Sequence, residues 1–125
     1  FIKHLTVEEN EVVLLDMEAG VEHFGRGVDN SVDLILMIVD PSFESLKLTK
    51  KIQQLGESIG KTVFFVLNKV NGQILPTMLE SIDDQSKVLA VISEDTEIAR
   101  KGLLGNELMM EIPEIHTLAR KILKQ

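Results

Sequence analysis

The sequence has no cysteine, tryptophan or tyrosine, only three prolines, and no run of basic residues. Without cysteine, this chain has no thiolate metal ligand, no iron–sulfur ligation, no cysteine nucleophile and no disulfide staple; such usage fits a reducing compartment, so a cytoplasmic location is expected. Thirteen Lys and Arg against twenty Asp and Glu leave a net charge of −7. Nucleic-acid phosphates are held by clustered cations, so no nucleic-acid partner is expected. The longest apolar stretch, Leu34 to Val39, is far shorter than the ~20 residues of a membrane span, and no membrane association is expected. Phe1-Ile2-Lys3-His4 does not form a signal-peptide pattern. Because the chain starts on Phe1 rather than Met, a preceding segment is expected to have been removed or omitted.

What is present is 125 residues with 44% apolar content, enough for one domain (1–125) with its own core. Short apolar runs occur at Glu11–Asp16, Asp33–Asp40, Thr62–Asn68 and Lys87–Ile92. They lack polar alternation, which suits parallel strands buried on both faces, and their spacing leaves room for helical crossovers. Asp40-Pro41 reads as an N-cap followed by proline at the first helical position, opening an amphipathic helix (Phe43, Leu46, Ile52, Leu55, Ile59) that ends at Gly60. A second helix is predicted near Pro76, a third capped by Ser93 or Asp95, and a last one through Ile115, Leu118, Ala119, Ile122 and Leu123. The expected order is β, short helix, β, α, β, α, β, α, α: an α/β fold with a mostly parallel sheet and flanking helices.

Ligands of such sheets bind outside the carboxyl ends of the strands, where Asp16, Asp40, Asn68 and Ser93 would lie. Polar strand ends are also ordinary turn chemistry. Two glycine motifs are decoys. Gly60-Lys61-Thr62 follows a helix and precedes a strand, the reverse of a phosphate loop, and the position five residues upstream of Gly60 is Leu55. Gly25-Arg26-Gly27 lies nine residues past its strand end, too far for a dinucleotide turn. His4, His23 and His116 have no metal-ligand spacing, no hydrolase nucleophile motif is present, and the five methionines read as core filler, with an exposed interface role as the alternative for Met109-Met110 near a glycine-containing loop.

The informative stretch is Asp16-Met17-Glu18-Ala19-Gly20, directly after an apolar run. An acid followed by a nearby glycine suits a site where the carboxylate holds Mg²⁺ and the glycine N–H approaches a terminal phosphate. Together with Glu22-His23-Phe24-Gly25-Arg26-Gly27, then DLILMIVDPSFESLKLTKKI and VLNKV, the chain resembles the carbon monoxide dehydrogenase maturation ATPases of CooC type, within the MinD/ParA group of P-loop ATPases. The resemblance runs from about Glu11 to the end. It implies a partial P-loop (Rossmann-like) fold. Asp16 would be the Mg²⁺ carboxylate, and Glu18, Ala19 and Gly20 the γ-phosphate switch. Glu22, His23 and Arg26 would adjoin the switch or a partner. Asn68, with Lys69, would face the adenine edge, and Ser93, Glu94 and Asp95 would line the base. The residue after Asn68-Lys69-Val70 is Asn71, not the aspartate that accepts guanine N–H groups, which favours adenine.

The family's phosphate loop, with its lysines, its first switch and its metal-binding cysteine pair are absent from these 125 residues. The resemblance therefore implies that the chain corresponds to the carboxyl-terminal part of such a domain, without the phosphate-loop strand. It is not expected to hydrolyse ATP on its own, and ATP or ADP with Mg²⁺ should bind weakly or not at all. Nickel handling, a carbon monoxide dehydrogenase-type partner, and a homodimer or strand-exchanged oligomer are what the resemblance implies further. The alternative is a non-enzymatic interaction or receiver-like module. Against the receiver, Asp16 precedes Met17 rather than a second acid, and Lys69 precedes Val70 rather than proline.

Overall fold

The computed structural model of the chain describes residues 8–17 and 32–125. Three strands, β1 (Ile35–Val39), β2 (Val63–Val70) and β3 (Val88–Ser93), form a parallel sheet in the order β1-β2-β3. Helix α1 (Phe43–Ile59) connects β1 to β2. Helix α2 (Leu75–Glu80) and a 3₁₀ turn at Gln85–Lys87 connect β2 to β3. Helices α3 (Thr96–Leu104) and α4 (Pro113–Leu123) follow. The α/β class, the parallel sheet and the flanking helices are those expected, in a partial Rossmann-like arrangement.

Side chains alternate across the sheet, and each face has its own core. Met37, Val39, Val63, Phe65 and Leu67 pack with Ile52 of α1, Met78 of α2 and Ile82. On the other face Phe64 and Val66 pack with Leu89, Ala90 and Leu118 of α4. Central strand β2 is buried from Val63 to Leu67, as its unbroken apolar run predicts.

Gly60 ends α1 in the left-handed conformation, φ 70°, and the Lys61 N–H reaches the Gly56 carbonyl at 2.9 Å. It is a helix cap, not part of a phosphate loop. Gly56 is needed for a different reason: a Cβ there would lie 2.6 Å from Val63 Cγ2 and 2.9 Å from the Lys61 carbonyl oxygen. Gln53 then ties α1 to the chain after α2, donating to the Ser81 carbonyl at 3.2 Å and accepting from the Asp83 N–H at 2.9 Å.

Two sequence-based expectations are corrected. Asp40 does not cap α1. Ser42 does, extended at φ −141° and ψ 150°, its hydroxyl accepting from the Ser45 N–H at 3.2 Å, so that Pro41 precedes the cap. The run Glu11–Asp16 is not a strand. A strand requires a neighbouring ladder, and among the described residues β1 pairs with β2 alone. Val12 and Leu14 are accordingly 60% and 84% exposed. The short helix expected between this run and β1 lies outside the described residues, as do Glu18, Ala19, Gly20, Glu22, His23 and Arg26.

Candidate functional site at the carboxyl rim of the sheet

Strands β1, β2 and β3 deliver Asp40, Asn68-Lys69 and Ser93-Glu94 to one rim. The register between β2 and β3 shifts at this end: Leu67 pairs with Val91, but Val70 pairs with Ser93. Three steps on β2 match two on β3, so β2 bulges at Asn68 and Lys69. Lys69 takes up the extra residue in a left-handed conformation, φ 54°, and is the only non-glycine residue with positive φ among those described. Leu67 and Val70 consequently both enter the α1-side core.

The bulge has a chemical consequence. In a regular strand, neighbours point to opposite faces and cannot meet one partner. Here both do. Asn68 Nδ2 donates to Asp40 Oδ1 at 3.0 Å, and Lys69 Nζ to Asp40 Oδ2 at 3.2 Å. Asp40 is held from behind: its N–H donates to Ser45 Oγ at 3.1 Å, and its carbonyl accepts from the Ser42 N–H at 2.8 Å. One carboxylate thus joins the ends of β1 and β2.

On the β3 side, the Glu94 N–H donates to the Val70 carbonyl at 2.8 Å and fixes the next loop against the bulge. Asp95, one of the two caps considered for α3, accepts from the Glu97 and Ile98 N–H groups at 2.8 and 3.2 Å. Its carboxylate is therefore engaged as a helix cap.

Of the residues singled out from the sequence, Asn68, Lys69, Ser93, Glu94 and Asp95 come together at this rim. Asp16 is exposed, lies in irregular chain rather than at a strand end, and forms no hydrogen bond or ion pair with the rim among the described residues. The group whose role sequence reasoning missed is Asp40. Its position at the rim was legible, but Asp-Pro at a strand end reads equally well as a helix cap. No cluster of three or more metal-ligating side chains occurs among the described residues. Among the described residues, no helix is long and apolar enough to cross a membrane.

No family model matches the chain. It is 35% identical over 105 residues to the carbon monoxide dehydrogenase accessory protein CooC of Rhodospirillum rubrum, a match covering 83% of this chain and 40% of that protein. Over that stretch the chain is similar to CooC. It is also 44% identical over 124 residues to a protein of Methanocaldococcus jannaschii described as an uncharacterised ATP-binding protein, covering 99% of this chain and 49% of that one. A second protein of the same organism and description is 33% identical over 113 residues, 88% of this chain and 44% of that one. The chain thus spans half or less of the length of the curated relatives it matches. The longest of these alignments takes in essentially the whole chain, and so the whole rim.

Proposed function

We propose that the chain forms the adenine-side wall of an ATP-binding site of CooC type. The observation that carries this reading is the Asn68 carboxamide, held at the carboxyl end of the central strand by Asp40 and flanked by the Ser93–Asp95 loop. That is the rim on which open α/β sheets bind ligands. The descriptions of the relatives as ATP-binding proteins support it. In this reading Asn68 meets the base edge, Lys69 shapes the loop beneath it, and Ser93, Glu94 and Asp95 line the opposite side. Asp16, Glu18 and Gly20 supply the Mg²⁺ and γ-phosphate side, with Glu22, His23 and Arg26 beside them.

These 125 residues contain no phosphate loop. Successive loop N–H groups and a lysine do most of the work of holding a nucleotide's phosphates. The chain alone is therefore expected to bind ATP or ADP weakly and to leave ATP unhydrolysed, the phosphate-loop groups being supplied from outside these 125 residues. Kinship with CooC supports a role in maturing a carbon monoxide dehydrogenase-type enzyme, with nickel as cargo rather than resident cofactor. The β1 edge, unpaired among the described residues, supports self-association.

The test is calorimetric titration of ATP into the protein at its full natural length. Asn68→Ala is expected to weaken ATP about tenfold, the scale of one lost hydrogen bond. Unchanged affinity would remove Asn68 from the site and this reading with it.

A further inference from the structure

Resting on the adenine reading above, we propose that Asp40 is a positioning residue that sets base preference by fixing which end of the Asn68 carboxamide faces the ligand. A primary amide has a donor end and an acceptor end of nearly the same shape. Left free to rotate, it offers either one. A carboxylate can only accept, so the Asn68 side facing Asp40 must be the NH₂ group, as the 3.0 Å Nδ2-to-Oδ1 contact has it. The carbonyl oxygen is then turned away from Asp40, and among the described residues no donor occupies it. Lys69 and Ser45 keep the latch in place. The ammonium occupies the other carboxylate oxygen at 3.2 Å, and the Ser45 hydroxyl accepts from the Asp40 N–H.

An outward acceptor discriminates at position 6 of a purine. Adenine carries an amino group there, a donor. Hypoxanthine and guanine carry an oxo group, an acceptor that would meet the Asn68 oxygen repulsively. The latch therefore favours 6-amino purines before the rest of the base is examined. This mechanism differs from the absence of an aspartate at Asn71, which only withholds contacts to guanine's N1 and 2-amino groups.

The decisive substitution is Asp40→Asn. Lys69 has no acceptor, so it keeps the carbonyl end of the new amide and leaves its NH₂ end facing Asn68. Asn68 must then turn its own oxygen inward and present its NH₂ group to the base. ATP affinity is expected to fall about tenfold while ITP, which differs from ATP at the 6-oxo group and N1, holds or gains. The ATP-to-ITP affinity ratio would thus fall at least about tenfold. A merely structural lesion weakens both nucleotides together and leaves the ratio intact.

The measurement is calorimetry of both nucleotides on the full-length protein, wild type, Asp40→Asn and Asn68→Ala, with circular dichroism as the fold control. If Asn68→Ala weakens ATP but Asp40→Asn leaves the ratio unchanged, the latch is overturned and the adenine reading stands. If Asn68→Ala changes nothing, both fall. Should Asp40→Asn not fold, amide exchange in the unmodified protein decides: one Asn68 carboxamide proton is expected to exchange more slowly than those of exposed Asn71 and Asn106. Equal exchange overturns the latch.

Discussion

Lys69 sits at φ 54°, where an ordinary side chain crowds its own backbone and glycine does not. Its ion pair with Asp40 is largely exposed on both sides, which limits its worth to roughly 0–1 kcal/mol. Lys69→Gly removes the pair and the strain together, so its stability is expected to stay within about 1 kcal/mol of wild type in urea unfolding. Lys69→Val loses the pair and places a β-branched residue in the same well, at an expected cost of about 2 kcal/mol. Equal losses for the two variants would show that the left-handed turn is not held by β2–β3 pairing. Elsewhere, the Ser86 hydroxyl and N–H both donate to Asp84 and hold its carboxyl below the ordinary 3.8. A depressed folded pKa stabilises above the unfolded value and loses that contribution as pH falls through the folded one. The stability difference between wild type and Asp84→Asn is therefore expected to vanish only below about pH 4, in acid unfolding followed by circular dichroism. Asn68 was legible as a rim residue because a polar amide closes an apolar run. The partnership of Asp40 was not, since it depends on a bulge created by pairing with β3, which no local pattern records.

Helix α1 shows what a sequence can and cannot fix about an element. Its span, apolar face and Gly60 terminus follow from periodicity and from the need for a left-handed cap. Its start does not, because Asp40 and Ser42 are both good caps two residues apart. The tie is broken by distant groups: Asn68 and Lys69 engage the Asp40 carboxylate, and Ser42 is left to cap. Ser42→Ala is expected to lose about 1 kcal/mol in urea unfolding, as caps do. Gly56 was equally opaque, since a mid-helix glycine looks like a weakness until Val63 is placed against it. Gly56→Ala improves helix propensity yet is expected to destabilise by about 1–3 kcal/mol, because neither the Lys61 carbonyl nor the Val63 side chain can move away freely. A stabilised Gly56→Ala would show that the helix-to-strand packing is looser than these distances. The Glu11–Asp16 run makes the complementary point. Its apolar pattern is that of a strand, but pattern supplies only the inclination to pair, and among the described residues no ladder is there to accept it.

At the scale of the molecule, the two edges of the sheet are treated differently. The β3 edge is guarded, with Lys121 of α4 reaching back to donate to the Leu89 carbonyl at 2.8 Å. A lysine laid along an edge opposes the approach of another strand. The β1 edge has no such guard among the described residues, and the adjoining Ile38 side chain is half exposed on the face that α4 leaves open. An unpaired apolar edge recruits a strand, from the same chain, from another copy or from a partner. The 125-residue chain is therefore expected to self-associate through β1, with a mass by light scattering that rises as concentration increases from micromolar upward. Ile38→Lys places a charge beside that edge without entering either core, so it should return the chain to monomer while leaving its circular dichroism unchanged. A single monomeric species across the whole range would mean that the edge is covered within the chain itself. In that case the apolar run Glu11–Asp16, the nearest unpaired strand-like segment in the sequence, becomes the segment to mutate next.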